Sequence, residues 1–248
     1  MTFKTEIITI LDRSGSMFAL IDDTIGGYND FIAKQRALPG EARSTLILFD
    51  HLYEQPYAAV PLANVPALDR NTDLARGNTA LLDAIGRALT EHGQRIATEK
   101  WAEKVMVVII TDGHENHSRE FKLAQIKAMI EHAQEVGGWE FLYLSADPNA
   151  FADAGSMGIG ANKTAAYQHS GQGTQAVYAA ASASSAALRS HGAVGNTLDG
   201  LKLAGGGLDV DKLIGQPAGQ VPPTANVPPV KPVPGAGPSQ STAGSTAP

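Results

Sequence analysis

Two apolar runs constrain this chain more than anything else in it. Glu6-Ile-Ile-Thr-Ile-Leu11 and Lys104-Val-Met-Val-Val-Ile-Ile-Thr111 are rich in β-branched residues and almost unbroken. A strand with one wet face alternates apolar and polar residues. A continuous run means that both faces are covered, as in parallel strands clothed by helices. Each run also ends on an aspartate followed by small residues: Asp12-Arg-Ser-Gly-Ser16 in the first, Asp112-Gly113 in the second. Trp139 to Leu144 reads as a further buried strand, closed by Ser145-Ala-Asp-Pro148. Ser44 to Phe49 and Leu52 to Ala59 flank Asp50-His51 and read as a hairpin.

Helical periodicity fills the gaps. Ile25, Tyr28 and Ile32 recur at three and four residues, as do Leu82, Ile85, Leu89, His92 and Ile96, and then Leu123, Ile126, Ile130 and Ala133. Strands alternating with helices predict an α/β fold: a doubly wound, mainly parallel sheet, with the hairpin adding one antiparallel edge strand. Beyond Asp147 the pattern weakens. Phe151 to Met157 is expected as a short helix and Thr164 to His169 as a short strand. Gln172 to Arg189 is an Ala/Ser-rich helix whose small side chains imply close packing against a neighbour, with a mobile helix as the alternative.

After Gly192 the character changes. Beyond Ile214 the chain is mostly Pro, Gly, Ala, Ser and Thr, with some Val and Gln and one charge, Lys231, and nine of its 14 prolines fall from Pro217 onward. Such a segment buries too little apolar surface to offset its ordering entropy, so a disordered, partly polyproline-II tail is expected. The expected organisation is one domain over 1–192 (core 3–145, helical extension 146–192), a Gly-rich linker over 193–215 and a Pro/Ala/Ser-rich tail over 216–248.

A net charge of −6 and a pI near 5.6 supply no global basic field, so neither nucleic acid nor a membrane is an expected partner. The absence of cysteine removes disulfides, thiolate metal sites and cysteine nucleophiles together. No apolar stretch reaches the roughly 20 residues that span a bilayer. Met1 to Leu11 lacks the basic and long apolar regions of a signal peptide. These point to a cytoplasmic chain, with a place in a virus particle left open.

The chemistry gathers at strand ends. In open parallel sheets ligands bind beyond the carboxyl ends of the strands. The first strand delivers Asp12, Ser14 and Ser16 there, and the later one Asp112. Between them, Gly77-Asn-Thr-Ala-Leu-Leu-Asp83 places Thr79 just before a helix. Two carboxylates and three hydroxyls are hard oxygen donors suited to Mg²⁺, with Mn²⁺ and Ca²⁺ as alternatives. Asp12 and Ser16 taken alone could equally be turn and cap residues. Asp83 reads as a supporting or helix-facing residue, and Asp50 as a hairpin-turn residue that could also orient a water or Ser14.

Asp12-x-Ser14-x-Ser16, the Thr79 segment and Thr111-Asp112-Gly113 occur in the order found in von Willebrand factor type A domains, and over about Phe3 to Leu144 the chain resembles that family. Its style is closer to the intracellular bacterial and phage members, including the TerY-like group, than to integrins. The resemblance implies a Rossmann-like fold and a metal-ion-dependent adhesion site. Ser14 and Ser16 would bind the ion directly, Thr79 directly or through water, and Asp12 and Asp112 largely through water. An Asp or Glu of a partner protein would complete the octahedron.

His114-Glu-Asn-His117 is not the zinc motif HExxH, because position 118 is serine. These residues are expected on the rim of the site. Gly158 to Thr164 lacks the glycine a phosphate loop needs before its lysine. With no general base evident beside the cation, the chain is expected to be a non-enzymatic binding or assembly module. An adaptor of a stress-response or ATPase/kinase-linked system and a structural component of a virus particle are the alternatives.

Overall fold

The computed structural model describes residues 2–71, 75–195 and 198. Its strands are β1 (Thr5–Asp12), β2 (Ala42–Phe49), β3 (Tyr53–Pro61), β4 (Lys104–Thr111), β5 (Glu140–Ser145) and β6 (Thr164–Ala166). Its α-helices are α1 (Ile21–Ala37), α2 (Leu81–Glu99), α3 (Leu123–Glu135), α4 (Ala150–Ser156) and α5 (Gly171–His191). The strands form one sheet in the order β3-β2-β1-β4-β5-β6. Every neighbouring pair is parallel except β2–β3, the expected antiparallel edge.

The continuous apolar runs do what such runs must. All eight residues of β1 are buried, and their alternating direction divides the interior into two cores. Ile7 and Leu11 join Tyr28 and Phe31 of α1 and Val177 and Ala181 of α5 on one face. Ile8 and Ile10 join Ile85 and Leu89 of α2 and Ile126 and Ile130 of α3 on the other. Each such side chain fully buried contributes roughly 1.5–3 kcal/mol, so the central strands β1 and β4 anchor both layers.

The expected close packing of the Ala/Ser-rich helix is present. Twelve residues of α5 are buried, and a Cβ added at Gly27 of α1 would meet the Tyr178 ring at 2.2 Å. Small residues along α5 therefore let the two helices approach until ring meets backbone. Serine caps the start of α5, Ser170 Oγ accepting from Gly173 N at 3.1 Å, and Gly192 ends it in the left-handed conformation at φ 76°. Near that end Arg189, 2% exposed, donates to the carbonyls of Gln35, Leu38, Pro39 and Gly40, tying α5 to the end of α1.

Two elements depart from the sequence expectation in length. The strand expected over Thr164–His169 stops at Ala166, because its partner β5 ends opposite it at Ser145; Tyr167 N still donates to the Ser145 carbonyl (3.0 Å), and its hydroxyl donates to the Thr111 carbonyl (3.2 Å). The hairpin strand runs on to Pro61, with register shifts against β2. Val194 and Leu198 are buried in the α1/α5 core. Apart from residues 193–195 and 198, the expected linker over 193–215 and the whole tail over 216–248 lie outside the described residues. Among the described residues no helix is long and apolar enough to cross a membrane.

Candidate metal centre

The strand order reverses direction between β1 and β4, the topological switch point at which open α/β sheets bind ligands. Asp12 is the last residue of β1 and Asp112 follows the last residue of β4, so parallel pairing of the two strands, Leu11 beside Ile110, places the two aspartates next to each other. Sequence separation of a hundred residues is removed by register alone.

The hydrogen bonds then order the cluster. Asp12 Oδ1 accepts from Ser14 N (2.7 Å) and Oδ2 from Thr111 Oγ1 (2.6 Å). Ser14 Oγ and Ser16 Oγ are 3.1 Å apart, and Ser16 Oγ donates to Asp112 Oδ1 at 2.7 Å. Thr79 completes the set: a Cβ at Gly113 would lie 3.4 Å from Thr79 Oγ1 and 3.7 Å from Ser16 Oγ. All five expected residues therefore meet at one place. Asp12, Ser14 and Thr79 are buried, while Ser16 faces solvent, which leaves one open side.

Thr79 is held by backbone. Its N–H donates to Asn116 Oδ1 (3.0 Å) and its carbonyl accepts from Asn116 N and His117 N. Gly77, at φ +70°, supplies a carbonyl to Gly15 N (3.1 Å), linking this segment to the first loop. The conformation is one that glycine adopts at no steric cost.

Asp12 is under electrostatic pressure. Burial pushes its carboxyl up to about 7, against the pull of hydrogen bonds from Thr111 and Ser14, and the neighbouring Asp112 charge adds to the rise. Two carboxylates and three neutral hydroxyls held this way form a set that a hard dication fits, since the ion would offset the buried negative charge that desolvation penalises.

Of the residues that support the cluster, Asp50 and Asp83 stand out in the sequence, while Arg13, Arg76 and His169 carry no signal. Arg13, 2% exposed, pairs with the fully buried Asp50 (3.2 Å) and with Glu54 (2.7 Å). Arg76 pairs with the same two carboxylates. Asp50 does make the hairpin turn, accepting from Leu52 N at 2.6 Å, but its larger part is to hold both arginines, and so the β1 and Thr79 loops, together; Ser14 is not among its partners. Asp83 accepts three backbone N–H groups from Arg119, Glu120 and Phe121, fixing the chain after β4. His169 Nε2 lies 2.8 Å from Asp112 Oδ2, an imidazole beside the site where the sequence offered no such group.

His114 and His117 do not face one another's partners. His117 sits against Asn78 (3.3 Å) and edge-on to His51, while His114 turns toward Asp147 and Asp153 of the next loop and helix. Glu115 accepts from His117 N, Ser118 N and Leu82 N, a turn-forming duty.

An open, doubly wound sheet with a hydroxyl-and-carboxylate cluster at its switch point is the class these elements define. No family model matches the sequence, and no curated protein matches it. Among solved structures, the PilB minor pilin of Streptococcus sanguinis is similar over 73% of this chain and 61% of its own, at 12% identity and a TM-score of 0.56; that likeness shows the fold. The von Willebrand factor type A protein of Catenulispora acidiphila matches at 16% identity and a TM-score of 0.49, over 75% of this chain and 43% of its own. The manganese-loaded TRAP protein of Plasmodium vivax matches at 14% and 0.43, over 57% of each chain. The chain thus spans less than two thirds of each of these proteins.

Proposed function

We propose that this chain is a von Willebrand factor type A domain that holds Mg²⁺ through Asp12, Ser14, Ser16, Thr79 and Asp112 and captures an acidic residue of a partner protein. The observation that carries the reading is the meeting of three neutral hydroxyls and two carboxylates at the switch point, with Ser16 on the open side. Neutral donors leave a dication short of negative charge. The partner's carboxylate would supply it, in a charge-assisted contact stronger than a neutral hydrogen bond. Phe18, 70% exposed and two residues beyond Ser16, offers an apolar contact next to that carboxylate.

The reading is of a binding module and not an enzyme. His169 is the one imidazole against the cluster among the described residues, and it is engaged by Asp112. Metal-binding carboxylates are commonly steadied in this way by a second hydrogen bond, so His169 is read as orienting Asp112 and not as a base. Metal-dependent turnover in a hydrolase panel would overturn this.

The test is affinity capture from native extract with the full chain in Mg²⁺, in EDTA, and with Asp112→Ala in Mg²⁺, alongside Mg²⁺ titration calorimetry on both proteins. A partner held only by wild type in Mg²⁺, with Mg²⁺ uptake lost in Asp112→Ala, supports the proposal. A partner held equally in all three samples refutes it.

A further inference from the structure

Asp147 follows β5 on the same edge of the sheet that carries Asp12 and Asp112, one strand further out. Its side chain is 4% exposed. Among the described residues every other buried carboxylate outside the metal cluster meets an arginine: Asp50 meets Arg13 and Arg76, and Glu6 meets Arg95. The one cationic partner of Asp147 among the described residues is the imidazole of His114, at 2.8 Å from Nε2. Asp153, on α4, points to the same ring, its carboxylate 3.8 Å from Nδ1. Among the described residues no lysine or arginine pairs with either aspartate.

One imidazole cannot balance two carboxylates. The ligand atoms of His114, Asp147 and Asp153 nevertheless lie within 4.8 Å of one another, which brings them close to the separations that ligands of one small dication adopt. The arrangement is also built, not accidental. Asp147 Oδ1 is fixed by Asn149 N at 2.7 Å and its own N–H by Ser145 Oγ at 3.1 Å, which leaves Oδ2 turned to His114. A cavity of about 170 Å³ opens beside His114 and Asp153, walled by Leu81, Leu82 and Leu123, with room for water or an incoming donor to complete a coordination shell.

The geometry points to a second metal site, separate from the Asp12/Asp112 cluster, in which His114, Asp147 and Asp153 hold a transition-metal dication of the Zn²⁺ class. A nitrogen ligand with two carboxylates suits borderline Zn²⁺ better than Mg²⁺, which prefers oxygen throughout. Zinc here would relieve the uncompensated pair of carboxylates and clamp the chain after β4 to the loop after β5. His114 thus takes its partners not from His117, its neighbour in sequence, but from a segment more than thirty residues on.

The inference does not rest on the proposed Mg²⁺ function, and the test separates them. Zn²⁺ is titrated by calorimetry into full-length Asp112→Ala, which disables the other cluster, and Co²⁺ is added to follow ligand-field absorption. The expected result is one Zn²⁺ per chain, with a visible Co²⁺ spectrum of nitrogen ligation. His114→Ala and Asp153→Asn, both at solvent-accessible positions, weaken Zn²⁺ binding by roughly ten- to hundredfold or more and abolish the Co²⁺ band, with Mg²⁺ binding retained when the same changes are made in the wild-type background. No Zn²⁺ uptake by Asp112→Ala, or an affinity unmoved by either substitution, overturns the site and leaves the Mg²⁺ reading standing. Asp147→Asn is added with circular dichroism, because a buried residue can act through the fold; a folded Asp147→Asn that still binds Zn²⁺ at wild-type affinity also counts against it.

Discussion

His169 Nε2 lies 2.8 Å from Asp112 Oδ2 while Ser16 Oγ holds Oδ1 at 2.7 Å, so the two oxygens of one carboxylate are gripped by two segments far apart in sequence. An aspartate fixed on both sides presents its charge in one direction. Replacing His169 by Ala is expected to weaken Mg²⁺ binding by roughly tenfold, the size of effect seen when a group that steadies a metal ligand is removed. Titration calorimetry on the folded variant checks this; an unchanged affinity would mean that Ser16 alone fixes Asp112.

Asp12 sets a pH dependence with a definite sign. Its carboxyl is raised from 3.8 to about 7 in the folded chain, chiefly by burial. The unfolded chain loses that proton near pH 4 while the folded chain keeps it to about pH 7, so metal-free stability is full below pH 4 and declines as pH rises through that window. In EDTA the thermal midpoint should therefore fall from pH 4 toward pH 7 by this contribution, and Asp12→Asn should flatten the fall. Added Mg²⁺ should stabilise wild type progressively more as pH rises, because ion and proton compete for one carboxyl.

His92 works in the opposite sense. It is 3% exposed on α2, has no hydrogen-bond partner for either ring nitrogen among the described residues, and its pKa is lowered to about 4, first by burial and then by the Arg95 charge. The unfolded chain takes up a proton near pH 6.5 and the folded chain does not until about pH 4. Stability present above pH 6.5 is consequently lost as pH falls through that interval. His92→Leu should gain on wild type at pH 5 relative to pH 7.5, measured as the difference in midpoint at each pH.

Gly77 should tolerate no side chain. Its φ is +70°, and an added Cβ would stand 2.1 Å from His51 Nδ1. Gly77→Ala is expected to cost about 1–3 kcal/mol in denaturant unfolding, and to weaken Mg²⁺ binding, because Thr79 lies two residues on. A variant with normal stability but normal metal affinity as well would show that the segment can move without disturbing Thr79.

Phe18 separates partner capture from metal capture. It is exposed and makes no contribution to the cluster, so Phe18→Ala should leave Mg²⁺ affinity unchanged while reducing partner retention in the capture experiment. Equal loss of both would place Phe18 in the ion site instead.

The sheet was legible because its strands carry the signal of two covered faces in consecutive residues. β1 and β4 end at Asp12 and Thr111, where the apolar runs give out, and the five cluster residues lie at or close to the ends of recognisable elements, Thr79 just ahead of α2. What sequence does not display is contact between distant loops. His169 reaches Asp112 from 57 residues away, and Asp50 reaches Arg13 and Arg76 across the β2–β3 turn. Asp147 could have been flagged by the same reasoning that found Asp112, as an acid just past a buried strand. Asp153 could not, since only the short α4 brings it back toward His114.

The meeting of Tyr178 with the backbone of Gly27 makes the molecule selective about where it can absorb added bulk. At that crossing the helices already touch, so a single added methyl must move a helix or a ring. On the other side, between α2 and α3, a cavity of about 480 Å³ lined by Leu89, Ile96, Met129 and Trp139 has space to spare. A deep mutational scan should accordingly show enlargements rejected at Gly27, where α1 meets Tyr178, and at Gly86, where an added Cβ would stand 2.4 Å from Phe121, and accepted, some with a gain in stability, around the cavity between α2 and α3.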